Sequence, residues 1–152
     1  MIKVDDYCPE FKLLNQDSIS IDMSEKLGNS IIILFFYPKD DTPGCTKEAC
    51  RFRDTHQDFQ DLGCTVFGIS SDSTKSHKKF AANYQLPFDL LSDEGGKIRK
   101  LFAVPTNLFG LIPGRVTYII GKDKKIHGIY NSQTDPIGHV SKALDFVKQL
   151  AV

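Results

Sequence analysis

At 152 residues, with 41% hydrophobic and 25% charged side chains, the chain is sized for one domain, residues 1–152, with a substantial core. Its 19 basic residues balance 19 acidic ones, which argues against nucleic acid or an anionic membrane surface as partner. No apolar run is long enough to span a bilayer, and Met1 to Asp6 lacks the apolar core of a secretory signal, so a cytoplasmic location with reduced thiols is expected rather than a disulfide framework.

Phe11 to Leu14 and Ile19 to Asp22 flank Asn15-Gln16-Asp17-Ser18 and predict a short hairpin. Cys8, just ahead of it before Pro9, reads as a small buried hydrophobe. Ile31 to Tyr37 shows no polar alternation, the pattern of a strand covered on both faces in a parallel sheet. Pro38 ends it. After Lys39-Asp40-Asp41, the run Thr42-Pro43-Gly44-Cys45 fits a helix entry with Thr42 as N-cap, Pro43 at N1 and Cys45 at N3. Unpaired amides and the helix dipole favour an anion there. Cys45 also takes the place of the acidic residue in a Thr-x-x-Glu capping box, which predicts the Thr42 hydroxyl beside the sulfur. An ordinary thiol of pKa about 8.5 is only about 3% ionised at pH 7. Making it mostly anionic takes a drop of ~2.5, worth roughly 3.4 kcal/mol, of which a helix end supplies at most ~2. A cation from elsewhere in the chain is required.

The helix is predicted from Pro43 to about Leu62, with Cys45, Ala49, Phe52, His56 and Phe59 in one sheet-facing stripe and Gly63 as C-cap. Cys50 points away from that stripe. Ideal helix geometry sets its Cα roughly 8.7 Å from that of Cys45, beyond the ~7 Å a disulfide tolerates, so the two can be bridged only if the helix start unwinds. Cys64 to Ser70 reads as a second buried strand with Cys64 structural, Ser73 to Tyr84 as a helix, Phe88 to Leu91 as a third strand and Asp93 to Phe102 as a short helix. Val104 to Pro113 reads as a loop carrying Leu108, Phe109, Leu111 and Ile112. Such a loop could roof a site, join subunits or dock a partner. Arg115 to Ile120 and Lys125 to Tyr130 predict a second hairpin, and Pro136 to Leu150 a closing amphipathic helix. The order predicts an α/β fold, a mixed sheet with helices on both faces. His56, His77, His127 and His139 lie at no metal-ligand spacing and the glycines make no phosphate cradle, so neither metal nor cofactor is expected.

Pro38-x-x-x-Thr42-x-x-Cys45 resembles the active-site signature of the peroxiredoxins, and Pro43-Gly44-Cys45-Thr46-Lys47-Glu48-Ala49-Cys50 that of the subgroup called bacterioferritin comigratory protein or peroxiredoxin Q. The likeness extends through Cys8-Pro9-Glu10-Phe11, Gly68-Ile69-Ser70, Leu86-Pro87-Phe88, Leu91-Ser92-Asp93 and Pro113-Gly114-Arg115. It implies a thioredoxin-like fold, a monomer and a thiol peroxidase acting on hydrogen peroxide and organic hydroperoxides. Cys45 would be the nucleophile, passing through a sulfenic acid. Thr42 would hydrogen-bond the sulfur or the peroxide, Pro38 would shield the site, and Arg115 would supply the missing cation. Cys50 would resolve the sulfenic acid as an intrachain disulfide, reduced in turn by thioredoxin or a related dithiol. Glu48 either pairs with Arg115 or supports the helix, and is left outside the catalytic set. Two alternatives stay open: a thiol-disulfide oxidoreductase acting on proteins, although Cys-x-x-Cys is absent, and a redox sensor that passes its oxidised state to a partner.

Overall fold

Six consecutive buried residues, Ile31–Phe36, form the central strand, and their neighbours on both faces explain why no polar residue interrupts the run. Ile31, Ile33 and Phe35 point into one hydrophobic cluster; Ile32, Leu34 and Phe36 point into the other. The structure, a computed structural model, describes residues 2–107 and 112–150. In chain order its elements are β1 (Lys12–Leu14), β2 (Ser20–Asp22), α1 (Met23–Lys26), β3 (Ile31–Phe36), α2 (Pro43–Asp54), α3 (His56–Asp61), β4 (Cys64–Ser70), α4 (Thr74–Tyr84), β5 (Asp89–Ser92), α5 (Lys97–Leu101), β6 (Thr106–Asn107), β7 (Ile112–Pro113), β8 (Val116–Ile120), β9 (Ile126–Asn131) and α6 (Pro136–Leu150).

The main sheet runs β2-β1-β5-β4-β3-β8-β9. β3, β4 and β5 are parallel, with Ile31 opposite Cys64; β8 is antiparallel to β3, and both hairpins are antiparallel. Side chains of α2, α3, α4 and α6 fill one cluster, while those of α5, the N-terminal segment and β8–β9 fill the other. This is the mixed sheet with helices on both faces that the element order predicts, and it is thioredoxin-like. Among the described residues no helix is long and apolar enough to cross a membrane.

Two predicted elements differ. The helix expected to run from Pro43 to about Leu62 is broken at Thr55 (φ −101°, ψ 4°) into α2 and α3. The Thr55 hydroxyl bonds back to the Arg51 carbonyl, a side-chain contact that competes with the helical ladder and bends it. The segment from Val104 to Pro113 is not all loop: Thr106 pairs with Pro113 and Asn107 with Ile112 in a small separate ribbon. Leu108, Phe109 and Leu111, on which the proposed roles of that segment rest, lie outside the described residues.

Candidate active site

The parallel pairing of β3 with β4 carries Tyr37 to the carboxyl end of the sheet, where its N–H donates to Ile69 O at 3.0 Å. Pro38, half-buried, ends the ladder because it has no N–H. The turn that follows is held from several sides. Asp40 accepts from the Tyr37 hydroxyl (2.6 Å) and the Ser76 hydroxyl (2.8 Å), and lies 2.7 Å from Nδ1 of the fully buried His77, whose Nε2 donates to Leu91 O at 3.0 Å. The Asp40 amide donates to Asp72 (2.8 Å), which also accepts from the Ser70 hydroxyl (2.6 Å). Asp41 adopts a left-handed φ of 59°, and its carboxylate accepts from the Tyr84 hydroxyl at 2.7 Å. Asp40, Asp72 and His77 thus converge within 4.8 Å, a grouping hidden by their spacing in sequence. Their bonds to one another and to neighbouring hydroxyls anchor the turn.

Thr42 is the N-cap residue of α2, with Pro43 first in the helix, as predicted, but it makes no side-chain capping bond. Its hydroxyl donates instead to Lys39 O at 2.9 Å and closes the turn. Cys45 follows in the first helical turn, with only 1% of its surface exposed. Ala49 and Phe52 extend the same buried stripe, while half-exposed Cys50 lies outside it. Half-buried His56 opens α3, with its ring against Phe88. All four cysteines are free thiols.

Arg115, 4% exposed, enters from the segment before β8 and completes the site. Its Nη2 donates to Cys45 Sγ at 3.4 Å, its Nη1 to Glu48 Oε1 at 2.6 Å and its Nε to Gln133 O at 3.4 Å. Gly44 leaves the guanidinium room: a Cβ on that residue would stand 3.0 Å from Nη2. Burial works against the charge of Arg115, but Glu48 and Cys45 outweigh it and raise its pKa.

Glu48, left out of the predicted catalytic set, is fully buried one turn after Cys45. Its Oε2 has no hydrogen-bond partner among the described residues and lies 3.6 Å from His139 Nδ1 on α6. His139 Nε2 bonds to the Ser132 carbonyl (2.7 Å), which can only accept, so Nε2 carries the proton and Nδ1 accepts from the Thr117 hydroxyl at 2.8 Å. Burial, reinforced by Arg115, pushes the His139 pKa down to about 4 against the pull of the Ser132 carbonyl. Burial likewise pushes Glu48 up to about 8, against the opposing effect of Arg115. The spacing of Glu48 from Cys45 places it on the buried stripe; nothing in the sequence pairs it with His139.

The remaining thiols sit in different surroundings. Burial pushes both Cys8 and Cys64 up to about 12, which leaves them inert near neutrality, in keeping with a structural reading. Cys50 is also raised, by partial burial, with Arg53 opposing.

Residues 4–129 match the AhpC/TSA family. Peroxiredoxin Q, chloroplastic, from Gentiana triflora is 46% identical over 140 residues, covering 92% of this chain and 64% of that protein. The chain thus spans a little under two thirds of that curated relative. The peroxidoxin BcpB from Mycobacterium tuberculosis superposes with a TM-score of 0.91 at 34% identity, covering 99% of each chain. The bacterioferritin comigratory protein of Xanthomonas campestris, known for alkyl peroxide reduction activity, superposes with a TM-score of 0.85 at 26% identity over 93% of this chain and 92% of that one.

Proposed function

The chain belongs to the AhpC/TSA family and, within it, to the peroxiredoxin Q and bacterioferritin comigratory group, and from that premise we propose that it is a thiol-dependent peroxidase with Cys45 as its nucleophile. The observation that carries the reading is the 3.4 Å contact between Arg115 Nη2 and a cysteine sulfur at a helix start. In the reaction the Cys45 thiolate attacks one peroxide oxygen. An S–O bond forms, the O–O bond breaks, and the departing oxygen leaves as water or an alcohol after taking up a proton. The fixed charge of Arg115 stabilises the attacking anion and the negative charge growing on the leaving oxygen. Hydrogen peroxide and organic hydroperoxides are the proposed substrates, the latter supported by the alkyl peroxide reduction of the Xanthomonas protein.

Cys50 then attacks the sulfenic sulfur, releasing water and forming an intrachain disulfide, which thioredoxin or a similar dithiol returns to two thiols. A monomer is the proposed working form, supported by Arg115 reaching both Cys45 and Glu48 of its own chain. Peroxide turnover coupled to a thioredoxin system tests the whole sequence. Cys45→Ser is expected to abolish it, and Cys50→Ser to permit a single turnover that then stalls with thioredoxin. Turnover retained by Cys45→Ser would overturn the reading.

A further inference from the structure

Pairing between β3 and β8 runs from Ile32 opposite Ile120 to Phe36 opposite Val116 and stops there. Beyond it the two segments that carry the reactive groups, Tyr37-Pro38 and Gly114-Arg115, continue side by side. Arg99, on α5 and only 7% exposed, takes over at this point. Its Nη2 donates to Tyr37 O and its Nη1 to Gly114 O, each at 3.0 Å, so one planar fork grips the carbonyl just before Pro38 and the carbonyl just before Arg115. The fork itself is fixed. Asp93, whose N–H donates to Ser70 O of β4 at 2.8 Å, accepts from the amides of Ile98 (3.0 Å) and Arg99 (2.9 Å), tying the start of α5 to the sheet. The far side of Gly114 is closed as well: a Cβ there would meet Pro105 O at 2.1 Å.

Arg99 is an expensive residue to bury. Among the described residues its Nε has no hydrogen-bond partner and no carboxylate lies within ion-pair distance of its guanidinium. Beyond the two carbonyls it has the face of Phe36, 5.8 Å away. Burial lowers its pKa, with Asp93 the main opposing charge. An apolar side chain of the same length would avoid burying a charge but would leave the Tyr37 and Gly114 carbonyls without their donors, so the gripping of those two carbonyls is what the guanidinium contributes.

We propose that Arg99 is a positioning residue of the peroxide site, fixing the spacing between the turn that leads into Cys45 and the segment that presents Arg115. The inference rests on the peroxidase reading. It assigns Arg99 no contact with substrate; it acts through the placement of Arg115 relative to the sulfur.

Arg99→Met removes the fork and its charge, whereas Arg99→Lys keeps a charge but offers a single ammonium to two carbonyls. In each variant the rate of Cys45 oxidation by hydrogen peroxide is compared with its alkylation by iodoacetamide, both expressed per thiolate from the measured ionisation of Cys45, because alkylation needs the anion but no aligned donor at a leaving oxygen. Positioning predicts a loss of about 10- to 100-fold in the peroxide rate of both variants. Alkylation should change by no more than about threefold. Wild-type peroxide rates in Arg99→Lys would overturn the proposal, as would equal losses in the two reactions, which would mark general damage. Should Arg99→Met fail to fold, Arg99→Lys alone decides. A wild-type protein that consumes no peroxide would defeat the peroxidase reading instead, so the two failures are separable.

Discussion

A side chain at Gly44 would compete with the guanidinium for space, because the nitrogen it would approach to 3.0 Å is Arg115 Nη2, the one that faces Cys45. Gly44→Ala should leave the fold intact or stabilise it by up to ~1 kcal/mol through helix propensity. The peroxide rate should nevertheless fall roughly tenfold as Arg115 shifts by a few tenths of an ångström. Thermal melting and kcat/KM measured on the same preparation check this, and an unchanged rate would mean that Arg115 need not sit where it does. At this scale the sequence was informative about Cys45 and Arg115, because a Pro, a Thr, a Cys and a distant Arg in order form a recognisable pattern. It was silent about His139 and Arg99. Each meets the site only through tertiary packing, one from α6 and the other from α5. Thr42 falls between the two: its N-cap position was legible from Thr-Pro, but the hydroxyl closes the preceding turn because Lys39 O lies within reach.

The proposed redox cycle asks more of α2 than of any other element. Glu48 lies between the two cysteines in sequence, so unwinding that lets Cys50 reach Cys45 also withdraws the buried carboxyl from Arg115 and His139. The opening need not spread. Thr55 already separates α2 from α3, and Phe59 anchors α3 in the core independently. One equivalent of peroxide should therefore lower the helical signal in circular dichroism by about the first two turns of α2 and create protease-sensitive bonds between Thr42 and Cys50, while α3 stays protected. Cys50→Ser should show neither change, and identical digestion of reduced and oxidised wild type would sink the expected switch. The break at Thr55 escaped the sequence because Phe52 and Phe59, seven residues apart, keep helical phase across it. β3 was legible because a strand buried on both faces leaves an uninterrupted apolar run, and β4 because only Thr65 breaks its burial.

For the whole molecule, the two buried groups behind Arg115 pull stability in opposite directions as pH changes. Glu48 holds its proton to about 8 in the folded chain against about 4.3 in an unfolded one, so the native state binds more protons across that interval and loses stability as pH rises through it. His139 has the reverse sign: its folded pKa of about 4 lies below the unfolded value of about 6.5, so its contribution grows from pH 4 upward and is complete near 6.5. Half-buried His56, whose pKa is also lowered by burial, acts in the same sense as His139. Between pH 4 and 6.5 the terms offset one another. From about 6.5 to 8 Glu48 stands alone, and the free energy of unfolding should fall by roughly 1.4 kcal/mol per pH unit at the steepest. The raised thiols add to that decline only above about 8.5, where free thiols begin to ionise. Glu48→Gln separates the contributions. Its urea midpoint should rise from pH 4 to 6.5, exposing the histidines, and then stay level to pH 8, where the wild type drops. Parallel curves for the two proteins would show that Glu48 is ionised throughout, with Arg115 outweighing its burial.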